Sequence, residues 1–172
     1  MKTAIYKIAG CLLIMLASWS AGAQAYQKDV ESVDAIIKAL YEVISGEGNE
    51  PRNWDRFRYL FAKDARLVPT TKGQDGEYVY RVLTPEEYIT RFSSRTQGFY
   101  EWELSRKTES YGTIAHAFTT YATRFTKTGP VTNRGINSIQ LFKDSKRYYI
   151  LQIFWCGEDS GFSLPEKYVN AQ

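Results

Sequence analysis

Apolar residues recur at three- and four-residue spacing through Val33, Ile36, Ile37, Leu40, Tyr41 and Ile44, and Gly46 interrupts the run. This spacing predicts a helix with one buried face and a defined stop. The breaker cluster Gly46-Glu47-Gly48-Asn49-Glu50-Pro51 follows, and then Trp54, Phe57, Leu60 and Phe61 mark a shorter amphipathic stretch. Two helices in a hairpin are expected. Ala65–Pro69 reads as a short strand, Thr70–Glu77 as a turn, and Tyr78–Val82 as a second β-prone stretch. Thr84-Pro85-Glu86-Glu87 combines a hydroxyl cap, a proline suited to the first helical position and a glutamate able to reach back. That is a capping box, predicting a third helix to Arg95 with Tyr88, Ile89 and Phe92 on its buried face.

From Phe99 the period falls to two, with Tyr100, Trp102 and Leu104 alternating against Glu101, Glu103 and Ser105. Breaks at Tyr111-Gly112-Thr113, Gly129-Pro130 and Asp144-Ser145 separate Ile114–Thr126, Arg134–Lys143 and Arg147–Cys156. Four long strands with short connections predict an antiparallel meander. Helices first and strands last is the order of an α+β domain with helices on one sheet face.

The start of the chain has a different character. Lys2 and Lys7 flank a segment without acidic residues, Ile8–Trp19 is almost wholly apolar, and Ala21-Gly22-Ala23-Gln24-Ala25 offers small residues at a peptidase-like spacing. This predicts a signal peptide over 1–25, cleaved after Ala25, and a single domain over 26–172. The apolar run is about a dozen residues where a membrane span needs about 20, so no membrane association is expected after cleavage. The expected location is periplasmic or secreted. Removing Cys11 leaves Cys156 alone, so no internal disulfide forms.

Charge narrows the partner classes. The formal net charge is +3, and the signal segment carries two of those positive charges away. No basic stripe with interleaved aromatics remains, which argues against a nucleic-acid partner. One histidine and one retained cysteine cannot build a zinc site, so no metal and no cofactor are expected. Aromatic residues make up 15% of the chain, which suits either a sheet-rich core or a lined cavity.

Specific strings add a resemblance. Tyr111-Gly112-Thr113 leading to Thr119-Thr120-Tyr121, the run Arg134–Phe142 with Tyr148-Tyr149-Ile150, and the ending Trp155-Cys156-Gly157-Glu158-Asp159 with Leu164-Pro165-Glu166-Lys167-Tyr168 resemble the nuclear transport factor 2-like superfamily, nearest its SnoaL-like and related secreted bacterial members. The resemblance implies a cone-shaped, strongly curved antiparallel sheet wrapped around the N-terminal helices, also called cystatin-like, with a cavity between helix and sheet. The family's dehydratases use paired histidines and this chain has one. Its steroid isomerases pair a carboxylate base with buried oxyanion donors, and neither set maps here residue by residue. Tyr148 stands where the family often has tryptophan.

A tight Asp144-Ser145 turn would set Leu141 opposite Tyr148, Ile139 opposite Ile150 and Asn137 opposite Gln152. A regular preceding hairpin would bring His116, Phe118 and Thr120 to the same face. A one-residue slip would instead expose Tyr121, Ser138, Gln140 and Trp155. The candidate pocket lining is Trp54, His116, Phe118, Thr120, Tyr121, Asn137, Ile139, Ile150 and Gln152. His116, the one histidine of the chain, is the candidate acid or base, with Tyr121 orienting a substrate. Glu101 and Glu103 read as solvated or cross-strand-paired residues. The final strand is apolar on both faces, Ile150 and Phe154 against Leu151, Ile153 and Trp155, and helices cover one face only, so a homodimer through the outer face is expected, as the resemblance also implies. The primary reading is binding of a small apolar molecule without catalysis. The alternatives are a cofactor-free isomerase, dehydratase or hydrolase using His116, and a protein-interaction module with a filled cavity.

Overall fold

The computed structural model describes residues 25–169; the expected signal segment, Ala25 apart, lies outside the described residues. Helix α1 spans Val33–Ile44, opened by Ser32, whose hydroxyl accepts from the Ala35 amide at 3.0 Å. Its buried face is Ile36, Ile37, Ala39, Leu40, Tyr41, Val43 and Ile44, which the heptad-like spacing anticipates. Helix α2, Trp54–Leu60, is capped by Asn53. Helix α3, Pro85–Ser93, carries the full capping box, with Thr84 and Glu87 exchanging side-chain and backbone hydrogen bonds. Among the described residues no helix is long and apolar enough to cross a membrane.

Six strands follow one another in the sheet order β2-β1-β6-β5-β4-β3, an open, curved α+β arrangement. Strands β3 (Tyr100–Tyr111), β4 (Ile114–Arg124), β5 (Asn133–Lys143) and β6 (Tyr148–Gly157) form the expected meander. The remaining pair corrects the expectation of a purely antiparallel sheet. Strand β1 is longer than anticipated, Phe61–Lys72, and pairs parallel with β6, while β2 (Tyr78–Tyr80) forms a hairpin on β1. Short local patterns cannot reveal such a pairing, because its partner lies at the far end of the chain.

Two irregularities decide which side chains face the helices. Between Glu103 and Ser105 the β3–β4 register shifts at Leu104, and between Gln140 and Leu141 the β5–β6 register shifts at Leu151. Each extra residue reverses the alternation beyond it. The helix-facing set is therefore Ala115, Ala117, Thr119, Tyr121 and Thr123 on β4, Gly135, Asn137, Ile139 and Leu141 on β5, and Ile150, Ile153 and Trp155 on β6. Gly135 is required in this layer, since a Cβ there would come within 2.5 Å of the Tyr121 hydroxyl.

Beyond β6 a 3-10 turn at Glu158–Ser160 leads to a short helix α4, Glu166–Val169. Arg134 grips the Glu158 carboxylate at 2.7 and 3.1 Å, and the Leu164 amide donates to the same group. The tail then crosses the outer sheet face. There Thr120 Oγ1 donates to the Tyr168 carbonyl at 2.6 Å and the Tyr168 ring meets Phe118 at 5.2 Å. The chain's own tail thus covers part of the face that the sequence assigned to a second copy.

Candidate functional site

The interior is not filled from end to end. Between the helices and one end of the sheet lies a cavity of about 410 Å³, within the ~300–1,000 Å³ range of small-molecule sites. Leu40 and Ile44 from α1, Phe57 from α2, Tyr88 and Phe92 from α3, and Ile153 from β6 form its apolar walls. Arg95, Phe125, Thr132 and Asp159 are the lining residues that are exposed to solvent, and they define the mouth.

One carboxylate is set into this wall. Glu101 belongs to β3 and pairs with Thr123, a helix-facing residue of β4, so the alternation turns its side chain into the cavity. Asn137 Nδ2 donates to Glu101 Oε1 at 3.3 Å and to the Tyr41 hydroxyl oxygen at 3.1 Å. Tyr41 and Thr119 share a further hydrogen bond at 2.6 Å. Both amide hydrogens of Asn137 are thereby used, one to hold the carboxyl and one to tie it to α1.

Desolvation pushes the Glu101 carboxyl up to about 7, with the Asn137 hydrogen bond and the Arg95 charge pulling the other way. Burial likewise raises the Tyr41, Tyr88 and Tyr121 phenols, each further raised by the Glu101 charge. These phenols stay protonated over the physiological range. Glu101 can hold or release a proton near neutrality, which suits either a hydrogen-bond donor to a ligand or an acid/base. Neighbouring Glu103 is raised mainly by burial and lowered by Arg106, which bridges it to Asp34 of α1.

The residues expected to line a pocket fall into four groups. Tyr121 and Asn137 are brought together in the cavity. Ile139 and Ile150 face the helices but sit in the packed core at 0% exposure, and Trp54 borders a neighbouring hollow, edge-on to Phe57 and Phe92. His116, Phe118, Thr120 and Gln152 lie on the opposite face. His116 Nε2 contacts Ser138 Oγ at 2.9 Å there, and no carboxylate hydrogen-bonds it among the described residues. The displacement follows from register. The β4–β5 pairing sets His116, Phe118 and Thr120 opposite Gln140, Ser138 and Ile136, and the Leu151 bulge, after Lys143 has paired with Tyr148, sets Asn137 opposite Trp155 and Ile139 opposite Ile153.

Glu101 is the site residue that the sequence pattern concealed. Tyr100, Trp102 and Leu104 look like a core stripe, yet Trp102 lies outside under the Arg124 guanidinium at 4.7 Å and Leu104 is 40% exposed. The available signal was on the neighbours: Thr119, Thr123 and Asn137 interrupt the apolar inner positions of two adjacent strands. Among the described residues no group of three or more His, Cys, Asp or Glu gathers as a metal site. Cys156 is a free thiol of intermediate exposure.

An open sheet of this order, curled over an N-terminal helix and a capped third helix with a hollow between, is the nuclear transport factor 2-like fold. Solved structures agree. A Mycobacterium tuberculosis protein of unknown function superposes with a TM-score of 0.54 at 13% identity, covering 80% of this chain and 80% of that chain. A Xanthomonas campestris chain, provisionally named a calcium/calmodulin dependent protein kinase II association domain, gives 0.53 at 15% identity over 78% and 86% of the two chains. A Nostoc punctiforme protein of unknown function with a cystatin-like fold gives 0.52 at 12% identity over 74% and 95%. No protein-family model matches the sequence, and no curated protein matches it. Likeness at this identity defines architecture and leaves activity to the site.

Proposed function

We propose that this chain is an exported protein that binds a compact, mostly apolar molecule in the helix–sheet cavity. The observation that carries the reading is a hollow of about 410 Å³ walled by aliphatic and aromatic side chains, in which one polar cluster, Glu101–Asn137–Tyr41, is held in place from three elements. Apolar walls supply most of the binding free energy and a few fixed polar groups orient the ligand. Export rests on residues 1–25 alone, and N-terminal sequencing of the mature protein tests it: a chain beginning at Tyr26 is expected, and one that retains residues 1–25 overturns it. A homodimer is proposed on the outer face left uncovered by the tail, where Ile114, Phe142, Leu151 and Phe154 are exposed.

Mass spectrometry of small molecules released from the natively purified protein tests the binding reading. A discrete species should accompany the wild type and be lost from Ile153→Trp, which fills the hollow. Identical release from both contradicts it.

The Glu101 carboxyl, pushed up to about 7, favours a second reading, acid/base catalysis on a bound molecule with Glu101 in the part expected of His116. In that case Glu101→Gln abolishes turnover of the released molecule while its binding persists. A filled interior would have favoured a partner-binding module, and this interior is open.

A further inference from the structure

Arg95 stands at the cavity mouth beside two aromatic rings. Its guanidinium lies 5.0 Å from the Phe92 ring centroid and 4.9 Å from that of Phe99, and the two rings meet edge to face. Both rings also line the cavity. Among the described residues Arg95 is the one cationic side chain that lines the cavity, and like Arg124 and Arg147, which also lie on rings, it pairs with no carboxylate. The two rings hold the guanidinium at the cavity wall, and among the described residues its N–H groups make no hydrogen bond.

The other charged groups around the site are accounted for. Glu47 accepts from the Tyr100 hydroxyl at 2.5 Å and Glu50 pairs with Arg52. Asp159, also at the mouth, acts electrostatically on Tyr121, while Arg95 acts on Tyr88 and Glu101. Resting on the binding reading above, we infer that the ligand carries a single carboxylate, which pairs with the Arg95 guanidinium at the mouth while its apolar body fills the cavity. A guanidinium edge matches a carboxylate in a two-point hydrogen bond. A doubly charged phosphate would bring excess negative charge beside Asp159 and Glu101. Glu101, held near neutrality in its titration, can be uncharged when one such anion binds.

Titration of the mature protein with 1-naphthoate and with neutral 1-naphthamide, followed by calorimetry, separates the possibilities. The naphthoate should bind about tenfold more tightly, the scale of one charge-assisted pair. Arg95→Gln should erase that difference by weakening the naphthoate alone, and Arg95→Lys should restore part of it. Equal affinities in the wild type, or a preference that survives in Arg95→Gln, overturn the carboxylate inference and leave the cavity reading standing. Failure of both compounds to bind overturns the two together.

Discussion

The two ends of the helix–sheet interior are built on the same strands and behave oppositely. Along β5 the helix-facing positions run Gly135, Asn137, Ile139, Leu141, small and polar at one end and branched aliphatic at the other. At the aliphatic end Ile36, Ile37, Leu60, Ile139, Leu141 and Ile150 are at most 1% exposed, and Arg147 closes the corner between the Tyr59 and Tyr149 rings at 4.0 Å from each. At the polar end the cavity opens around Glu101 and Asn137. The packed end supplies the stability that lets the other end leave space unfilled and hold a carboxyl out of water.

Breaking the packed end should cost most. Ile150→Ala is expected to lose about 4 kcal/mol, and Ile153→Ala, which already borders the hollow, about 2 kcal/mol. Guanidinium denaturation measures both, and equal costs would erase the distinction between the ends. The next effect depends on pH. Folding raises Glu101 from its usual 4.5 to about 7, so the folded protein keeps a proton that the unfolded chain releases across that interval. The stability contribution of protonated Glu101 is complete below 4.5 and is lost as pH rises to about 7. Glu101→Gln should therefore be more stable than the wild type by on the order of 2 kcal/mol above pH ~7.5 and indistinguishable from it near pH ~4. A difference independent of pH would remove Glu101 from the buried wall. The smallest effect is expected across the sheet, where His116→Asn should change stability by less than ~0.5 kcal/mol and leave probe titration unaltered. Weakened binding in that variant would move the working surface to the outer face.

Much of the scaffold was legible because it is written locally. The three-and-four spacing of Val33–Ile44 and the Thr84–Glu87 box each encode an element within a dozen residues, and the structure has both. The meander was legible from its breakers. The site was not, because its composition depends on parity, and the shifts at Leu104 and Leu151 reverse parity without any Gly or Pro to announce them. Tyr121 and Asn137 were named from opposite registers, and both reach the cavity because the strands mix the two. Glu101 was hidden by an aromatic alternation that turned out to face solvent.

The parallel pairing of β1 with β6 sets a schedule. Phe61 meets Ile150 and Leu67 meets Ile153, so the first long strand has only its β2 hairpin until the last has been made. Contacts of such separation are closed late and at high entropic cost. Until then the apolar face of α1 and the floor of the hollow are open to solvent together, and a chain that must leave its site of synthesis before completing this pairing would travel unsealed.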